Sequence, residues 1–304
     1  MISIIIVQYN NSRHTHTAIE SFRKHHVYNY EIILVDNGST DNSISQFNKN
    51  FHRDKRIVII KNGANLGYVE GNNSGIRYAI EHSFDYVLII NNDVLVKRDF
   101  LEILLKRANA IPGTGIFGPK IYFAPGFEYH HDRYSEKQRG KIIWSVGGRI
   151  DWSNIIGSNI GIDQFDQGQF DQIKQSTIDF ISGCCLLVKT TVFKKIGLFD
   201  QRYFLFLEDA DFCQRAKKAG FQISVVPQSI IWHLNSQTTG AGSHLHDYFL
   251  TRNRLLFGFT YGKLRSKLAL VRESFNLFLF DPSLWKRKGV LDFYLRKLGQ
   301  GSWL

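Results

Sequence analysis

A run of apolar residues that ends in three polar side chains constrains the fold of this chain more than any other feature. Tyr86 to Ile90 are five consecutive apolar residues, mostly β-branched or aromatic, and such a run predicts a strand buried on both faces of a sheet. Asn91, Asn92 and Asp93 follow directly, which places a carboxylate at the carboxyl end of the strand, where open α/β sheets bind their ligands. A carboxylate beside carboxamides suits Mg²⁺ or Mn²⁺, although the same three residues also favour a turn.

The first 110 residues alternate predicted strands with predicted helices. Strands are predicted at 2–7, 31–35, 56–60 and 85–90, and helices at 13–25, 43–51, 71–82 and 98–109. Alternation of this kind indicates an α/β fold with right-handed crossovers and a parallel sheet. The carboxyl ends of all four strands should therefore meet at one edge of the sheet.

The other three strands also end in small or polar residues. Tyr9 offers an aromatic face on which a base could stack, and Asp36 could accept a hydrogen bond from the imide N–H of a pyrimidine. Gly67 would let a ribose or a phosphate approach the backbone closely. Each of these residues alone is also explained as part of a turn or a helix cap, but the recurrence of polar residues at four strand ends favours a ligand site.

Two later segments carry further candidates. Residues 182–184 interrupt a predicted strand at 177–188 with small side chains, which fits either a bulge or the close approach of a ligand to the backbone. Glu208, Asp209 and Asp211 open a predicted helix. Acidic side chains favour a helix N-terminus by ~0.3–1 kcal/mol each, yet three carboxylates within four positions repel one another, so a purely structural role explains them poorly.

Composition and charge exclude several classes of protein. With 304 residues, of which 43% are hydrophobic, the chain can bury a large core. Residues 1–7 lack the positive charge of a signal peptide, and no apolar run reaches the ~18 residues of a membrane-spanning helix. Three cysteines without metal or redox spacing predict buried thiols in a reducing compartment. We therefore expect a globular protein of the cytoplasm.

Residues 244–304 are strongly basic. They hold eleven Lys or Arg against four Asp or Glu, which is +7 of the net charge of +11. One predicted helical face in this segment is apolar and carries Leu264, Leu268, Val271, Phe275 and Leu279. A basic amphipathic helix suits an anionic membrane surface. The sequence leaves two alternatives open, namely packing of this face against the rest of the chain and formation of a homodimer.

The motifs together resemble one enzyme family. Residues 35–41, residues 65–76 and the triplet at 91–93 look like the donor-binding half of inverting family 2 glycosyltransferases, and they are most similar to the branch of bacterial rhamnosyltransferases and galactofuranosyltransferases. The resemblance implies an α/β fold of the GT-A nucleotide-diphosphosugar transferase type, in which helices flank a Rossmann-like, mostly parallel mixed sheet. It also implies a catalytic domain at 1–243, with a nucleotide-sugar-binding half at 1–110 and an acceptor half at 111–243, followed by a helical extension at 244–304.

The resemblance further implies the role of each candidate residue. A divalent metal, Mn²⁺ or Mg²⁺, would be held by Asp93 and His233. Asp209 would be the base that deprotonates the acceptor hydroxyl, Glu208 would orient donor or acceptor, and Asp211 is the alternative base. The residues implied to bind the nucleotide donor are Gln8, Tyr9, Asn10, Asp36, Asn37, Asn65, Gly67, Asn73, Asn91, Asn92 and Asp93, and those implied to contact the sugar or the acceptor are Gly183, Cys184, Asp211 and Trp232.

The implied substrates follow from the same branch of the family. The first candidate for the donor is dTDP-rhamnose, with UDP-galactose, UDP-N-acetylhexosamine and UDP-galactofuranose as alternatives. The implied acceptor is a growing bacterial surface glycan, such as O-antigen, capsule or cell-wall polysaccharide, carried on a lipid at the inner face of the cell membrane. The enzyme would then be a peripheral protein of that face.

Two other classes of protein compete with this interpretation. A nucleotidyltransferase should show a glycine-rich, basic loop after the first strand, and residues 8–11 have neither property. A non-catalytic protein that binds an anionic polymer would explain the basic extension but would leave the carboxylates at 208–211 without a purpose. We expect no nucleic-acid partner.

Overall fold

The amino-terminal half alternates strands and helices as the sequence predicts. The computed structural model describes residues 1–23, 29–234 and 242–303, so the last predicted residues of the first helix, Lys24 and His25, lie outside the described part. The elements of this half are β1 (Ile2–Gln8), α1 (Ser12–Arg23), β2 (Tyr30–Asp36), α2 (Ser43–Phe51), β3 (Ile57–Lys61), α3 (Gly67–Glu81), β4 (Tyr86–Ile90), β5 (Val94–Val96) and α4 (Phe100–Ala110).

Helix α3 begins four residues before its predicted start. Glycines inside a helix usually weaken it, but here they permit close packing of α3 on β1. A Cβ at Gly71 would lie 2.8 Å from Val7, and a Cβ at Gly75 would lie 2.7 Å from Ile5. The tertiary contact therefore overrides the low helix propensity of the segment.

The second half is less regular. Its elements are β6 (Thr114–Phe123), β7 (Ile143–Ser145), β8 (Gly148–Asp151), β9 (Ile156–Asn159), β10 (Cys185–Lys189), α5 (Thr190–Ile196), α6 (Glu208–Lys218) and β11 (Gln222–His233). One predicted bound is wrong, because residues 182–184 form a turn and β10 is therefore shorter than the strand predicted at 177–188. β11 reaches His233 because a register shift between Val226 and Ile230 absorbs Pro227 within its pairing to β6.

The predicted parallel sheet is confirmed. Within the described part of the chain, nine strands form one sheet with the order β3-β2-β1-β4-β10-β6-β11-β5, and β7 pairs with β6 at the side. Strands β1 to β4 are mutually parallel, while β10 is antiparallel to both β4 and β6. Helices cover both faces, and alternate side chains of β1 enter the two separate cores. The ends of β1 to β4 therefore share one edge of the sheet.

Three helices follow the sheet: α7 (His244–Tyr261), α8 (Leu264–Phe280) and α9 (Leu284–Tyr294). α7 is largely buried and carries Tyr248, Phe249 and Leu256 into the core. α9 packs on α7 and α8. Among the helices of the described residues, none has the length and apolar character needed to cross a bilayer.

Candidate active site

Strand pairing brings together two residues that are 140 positions apart. Asp93 stands just before β5, His233 ends β11, and the antiparallel register of these strands sets Val94 opposite His233. Leu234 N–H donates to the carbonyl of Asp93 over 2.8 Å. As a result the Nε2 atom of His233 lies 3.2 Å from Oδ1 of Asp93, and both side chains are buried.

The Asp93–His233 pair fits a divalent metal. Two neighbouring ligands of an octahedral ion with ~2.1 Å bonds are about 3 Å apart, which matches the distance between these two donor atoms. In the described part of the chain the buried Nδ1 of His233 has no hydrogen-bond partner, and no group of three or more His, Cys, Asp or Glu could enclose an ion. The remaining ligands would come from water and from the diphosphate of a substrate, as is usual for Mg²⁺.

The acidic pair Glu208–Asp209 opens α6. Asp209 accepts hydrogen bonds from the N–H of Gly183 and the N–H of Ala210, each over 2.7 Å. Glu208 is 5% exposed, and its Oε2 has no partner among the described residues. A buried carboxyl oxygen without a donor is costly, so this residue is not explained by stability.

Burial raises the pKa of both carboxyl groups. For Glu208 the pKa lies well above its ordinary value because of burial and then because of repulsion from Asp209. For Asp209 burial also raises the pKa, while the N–H groups of Gly183 and Ala210 oppose the rise. A carboxylate with a raised pKa accepts a proton more readily, which suits a general base.

A turn at residues 182–184 connects the region of the Asp93–His233 pair with the Glu208–Asp209 pair. The N–H of Gly183 bonds Asp209, and the carbonyl of Cys184 accepts from the N–H of Asn91 over 2.9 Å, close to Asp93 in sequence. Cys184 is buried and lies close enough to both Asp93 and Asp209 for their charges, after burial itself, to raise the pKa of its thiol well above the usual range. Its thiol therefore stays neutral. The turn places the Asp93–His233 pair and the Glu208–Asp209 pair on adjacent sides of one small region.

Tyr68 is a residue of this region that sequence reasoning missed. Its hydroxyl donates to the carbonyl of Gly183 over 2.6 Å. Burial, followed by the charges of Glu208 and Asp209, raises the pKa of Tyr68 well above its usual value, so the hydroxyl remains a donor. A Cβ at Gly183 would come within 3.1 Å of this hydroxyl, which explains the small residue there.

Three residues in the segment that leads into Glu208 have unusual backbone angles. Phe204, Phe206 and Leu207 have φ values of 63°, 69° and 67°, in the left-handed region that costs non-glycine residues ~1–3 kcal/mol each when strained. We call residues 203–207 the catalytic loop, since they lead directly into Glu208. Contacts with other parts of the chain must offset the strain in this loop.

Two buried residues of α7 hold the catalytic loop. Asn253 donates through Nδ2 to the carbonyls of Tyr203, Leu205 and Phe206 at 2.7–3.0 Å. The guanidinium of Arg252, fully buried, donates to the carbonyls of Arg202, Tyr203 and Gly299 at 2.6–3.1 Å. Neither role was predicted, because nothing in the sequence of α7 distinguishes this basic residue and this amide from the other polar residues of the helix, such as Arg254.

Asp211 has the contacts of a structural residue. It forms an ion pair with Arg215 over 2.7 Å, as the spacing of one helical turn predicts, and it accepts from the hydroxyl of Tyr261 over 2.7 Å. Its carboxylate is thus paired with a cation, whereas among the described residues Asp209 accepts from backbone N–H groups and has no ion pair. This difference favours Asp209 over Asp211 as the base.

We call the carboxyl ends of β1, β2 and β3, together with the loops that follow them, the nucleotide edge. Its first two loops are linked by Asn10. Its side-chain carbonyl accepts from the N–H of Thr40 over 2.8 Å, and its own N–H donates to Ser39. Asp36 is 5% exposed and accepts from the N–H of Ser39 at 3.2 Å. Tyr9 stands beside them with 46% of its surface exposed, which leaves its ring accessible to a base.

The second and third loops are joined by Asn37. Its amide donates to Asn65 and to the carbonyl of Gly67 at 3.1 and 3.0 Å, and its oxygen accepts from Asn62 and from Leu66 N–H. A Cβ at Gly67 would lie 2.5 Å from the ring of Phe204. The nucleotide edge and the catalytic loop are therefore in direct contact at Gly67.

Several predicted donor-binding residues use their polar atoms inside the protein. Gln8 bonds the hydroxyl of Thr15 and the carbonyl of Asn10, and Asn92 also donates to that hydroxyl. Asn73 bonds both the N–H and the carbonyl of Phe199 at 3.0 Å. These contacts shape the edge, so a direct contact with the donor is not what the structure favours for Gln8, Asn73 or Asn92.

Trp232, a predicted acceptor residue, also has an internal partner. Its indole N–H donates to the carbonyl of Gly140 over 2.8 Å. Only its ring surface, half-buried beside Tyr122, is available for contact with a sugar.

Comparison with known proteins shows the family of this chain. The sequence model described as "Glycosyl transferase family 2" matches residues 3–197. The chain belongs to this family. It is therefore an enzyme, and membership decides against both a nucleotidyltransferase and a non-catalytic protein that binds an anionic polymer.

Relatives and solved structures extend the comparison. The chain is similar to the N-acetylglucosaminyl-diphospho-decaprenol L-rhamnosyltransferase of Mycobacterium tuberculosis, with 27% identity over 81% of this chain and 80% of the relative. It is also similar to the rhamnosyltransferase WbbL of Escherichia coli, with 24% identity over 75% of this chain and 81% of WbbL. The mannosyltransferase PcManGT of Pyrobaculum calidifontis, solved with GDP-Man and Mn²⁺, shares the fold at a TM-score of 0.54 and 15% identity, over 97% of this chain and 74% of that one. The expected GT-A fold of this glycosyltransferase is confirmed.

Proposed function

We propose that this family 2 glycosyltransferase transfers rhamnose, with inversion at C1, from dTDP-rhamnose to a hydroxyl of a lipid-linked glycan. The names of two relatives, both rhamnosyltransferases and one of them acting on a diphospho-decaprenol compound, support this choice. A UDP-linked galactose, N-acetylhexosamine or galactofuranose is the alternative donor. The membrane-linked acceptor would place the enzyme at the inner face of the cell membrane.

One observation carries the assignment of the active site. The turn at 182–184 bonds Asp209 through Gly183 N–H and Asn91 through the carbonyl of Cys184. The proposed base and the proposed diphosphate site are therefore neighbours, although they are more than 100 residues apart in sequence. Direct displacement needs this proximity, because the attacking hydroxyl and the leaving diphosphate lie on opposite sides of one sugar carbon.

The chemical step follows from these positions. Asp209 takes the proton of the acceptor hydroxyl while the oxygen of that hydroxyl forms a bond to C1 of the sugar. The bond between C1 and the diphosphate oxygen breaks, and its electron pair leaves with the nucleoside diphosphate. Glu208 orients the acceptor or the donor next to Asp209, and Tyr68 fixes the turn that positions the base.

Asp93 and His233 would hold the divalent cation. When bound there, Mn²⁺ or Mg²⁺ would neutralise charge on the departing diphosphate. Tyr9 would offer its exposed ring to the base of the donor, and Asp36 would accept from the imide N–H of a pyrimidine. Asn10, Asn37, Asn65 and Gly67 would shape the binding edge between them.

The test combines binding with turnover. Calorimetric titration with dTDP, UDP and GDP, each with and without Mn²⁺, should show metal-dependent binding of one pyrimidine diphosphate, and Asp93→Asn should abolish the metal-dependent part. Asp209→Asn should keep that binding but lower kcat by roughly 10²-fold or more. Asp132→Asn, an exposed carboxylate in the short 3-10 helix His131–Arg133, is the matched control and should change neither. If no nucleotide binds in the presence of metal, or if Asp209→Asn retains normal turnover, the proposal fails.

A further inference from the structure

Helix α8 exposes an apolar face. Six large side chains along it are 42–73% exposed, and at 100° per residue they fall within an arc of about 100°. We call these residues the α8 stripe: Leu264, Leu268, Val271, Phe275, Phe278 and Leu279. The opposite side of the helix is buried through Ser266, Leu270 and Ser274, and Leu270 packs closely on Gly258 of α7. The helix is thus already docked by its other side, and the stripe faces outward.

Further large apolar side chains are exposed at the end of α8 and beyond it. Phe280 and Leu284, on either side of the turn into α9, are 75% and 74% exposed. The exposed Leu291 of α9 and Leu295, directly after this helix, follow Leu284 at helical spacing. Monomeric proteins rarely expose so many large apolar side chains together, and such patches mark an interaction surface.

Positive charge borders the stripe on both sides. Arg265 and Arg272 lie along one side of it and Lys267 along the other, as helical geometry requires, and none of the three forms an ion pair within the described residues. The only acidic residue of α8, Glu273, lies on the far side and pairs with Arg254 at 2.5 Å. The stripe therefore has cations at its borders and no carboxylate.

We propose that the α8 stripe docks on the surface of an anionic bilayer. Apolar side chains would enter the acyl boundary while Arg and Lys at the borders contact lipid phosphates, which is the arrangement of an interfacial helix. A second copy of the chain fits less well. A two-fold contact between two stripes would bring the cations of one copy against those of the other without a carboxylate to pair them.

Docking would hold the active site in one orientation relative to the membrane, an inference that rests on the proposed lipid-linked acceptor. α8 packs on α7, and α7 carries Arg252 and Asn253, which hold the catalytic loop. The bilayer, α8, α7 and Asp209 are therefore connected through rigid packed elements. An acceptor whose lipid lies in the same bilayer would reach the base in a fixed orientation.

The experiment measures co-sedimentation of the full chain with vesicles of phosphatidylcholine alone or with phosphatidylglycerol added. Binding should require phosphatidylglycerol and weaken with salt. Leu268→Gln/Phe275→Gln should lower the affinity by roughly tenfold or more, and Arg265→Glu/Arg272→Glu should lower it similarly. Ile156→Gln/Ile162→Gln and Lys137→Glu/Arg139→Glu replace exposed residues elsewhere and should bind as the unaltered chain does.

Several outcomes would overturn the inference. They are the absence of binding to any vesicle, equal losses in the control variants, and a stripe-dependent dimer in light scattering without vesicle binding. Nucleotide binding by calorimetry is measured in parallel and should be unchanged in Leu268→Gln/Phe275→Gln. If the chain binds vesicles but no nucleotide, the proposed function fails while the docking surface stands. If it binds a nucleotide but no vesicle, the docking surface fails while the proposed function stands.

Discussion

At the scale of single residues, Glu208 is held in a position that favours its neutral form. Its carboxyl is buried beside Asp209, and one of its oxygens has no donor within the described residues. Because the pKa in the folded chain exceeds the ordinary value of 4.5, the folded state binds more protons than the unfolded state between the two pKa values. Stability from this group is therefore greatest below pH 4.5 and falls as the pH rises through that window.

We expect Glu208→Gln to raise the thermal midpoint at neutral pH, because a neutral amide removes the cost of an ionised buried carboxyl. The gain over the unaltered chain should vanish below pH 4.5 and grow as the pH rises, and turnover should fall. Thermal melts from pH 4 to pH 8 measure it, with the exposed Glu136→Gln as control. A gain that is independent of pH would contradict this account.

Asn253 is expected to act on catalysis through the catalytic loop. Asn253→Ala removes the donor of three carbonyls next to residues with left-handed φ, so the loop relaxes and Glu208 and Asp209 move. A displacement of ~1 Å can cost 10²-fold in rate. We expect kcat to fall by about 10–100-fold while the affinity for the nucleotide diphosphate is unchanged.

Steady-state kinetics and calorimetry on the same preparation check this prediction. Asn276→Ala, an exposed position on α8, is the matched control. Equal losses of nucleotide affinity and kcat would indicate general unfolding instead of a positioning role.

At the scale of elements, the start of α3 is fitted against the catalytic loop. Gly67 has a φ of +77°, and a Cβ there would strike the ring of Phe204. The N–H of Val69 donates to the carbonyl of Phe204 over 3.1 Å. The start of α3, on the nucleotide edge, therefore packs directly against the loop before the base.

Gly67→Ala should lower the free energy of unfolding by more than Gly63→Ala does. Gly63 has nearly the same φ, +74°, but a Cβ added there would meet no other atom within 4 Å, so its substitution measures the backbone strain alone, about 1–2 kcal/mol. The excess for Gly67→Ala reports the clash with Phe204 and should be accompanied by loss of turnover. Urea unfolding of both variants gives the comparison, and equal losses would show that the contact is unimportant.

At the scale of the whole molecule, α8, α9 and the residues that follow them pack on α7, the helix that holds the catalytic loop. The carbonyl of Gly299 accepts from the buried guanidinium of Arg252 at 2.6 Å, and Asp292 accepts from the hydroxyl of Tyr248 at 2.5 Å. Leu270 fills the space beside Gly258. The α8 stripe is exposed, but the other side of the same helix completes the core.

Removal of residues 262–304 should therefore destabilise the chain by several kcal/mol, since it strips a buried cation of a partner and uncovers apolar surface. Leu268→Gln/Phe275→Gln should instead stay within ~0.5 kcal/mol of the unaltered chain, as is usual for surface positions. Urea unfolding distinguishes the two cases. A truncated chain with an unchanged midpoint would show that the helices are an independent appendage.

The sequence alone predicted the parallel half of the sheet, the polar strand ends and the acidic pair at the start of α6. These features depend on local patterns, such as the apolar run Tyr86 to Ile90 and the carboxylates at 208–211, which neighbouring residues encode directly. The tertiary structure decided what those residues contact. The distance of 3.2 Å between Oδ1 of Asp93 and Nε2 of His233 depends on the pairing of β5 with β11. The support of the catalytic loop by Asn253 depends on where α7 packs.

The same distinction explains the residues for which the sequence suggested more than the structure favours. Gln8, Asn73 and Asp211 are polar and stand in suggestive motifs, but their hydrogen-bond partners, Thr15, Phe199 and Tyr261, come from other elements. The polar groups of a side chain fix which hydrogen bonds it can form. Only the folded chain determines whether those hydrogen bonds are already made inside the protein or are left for a substrate.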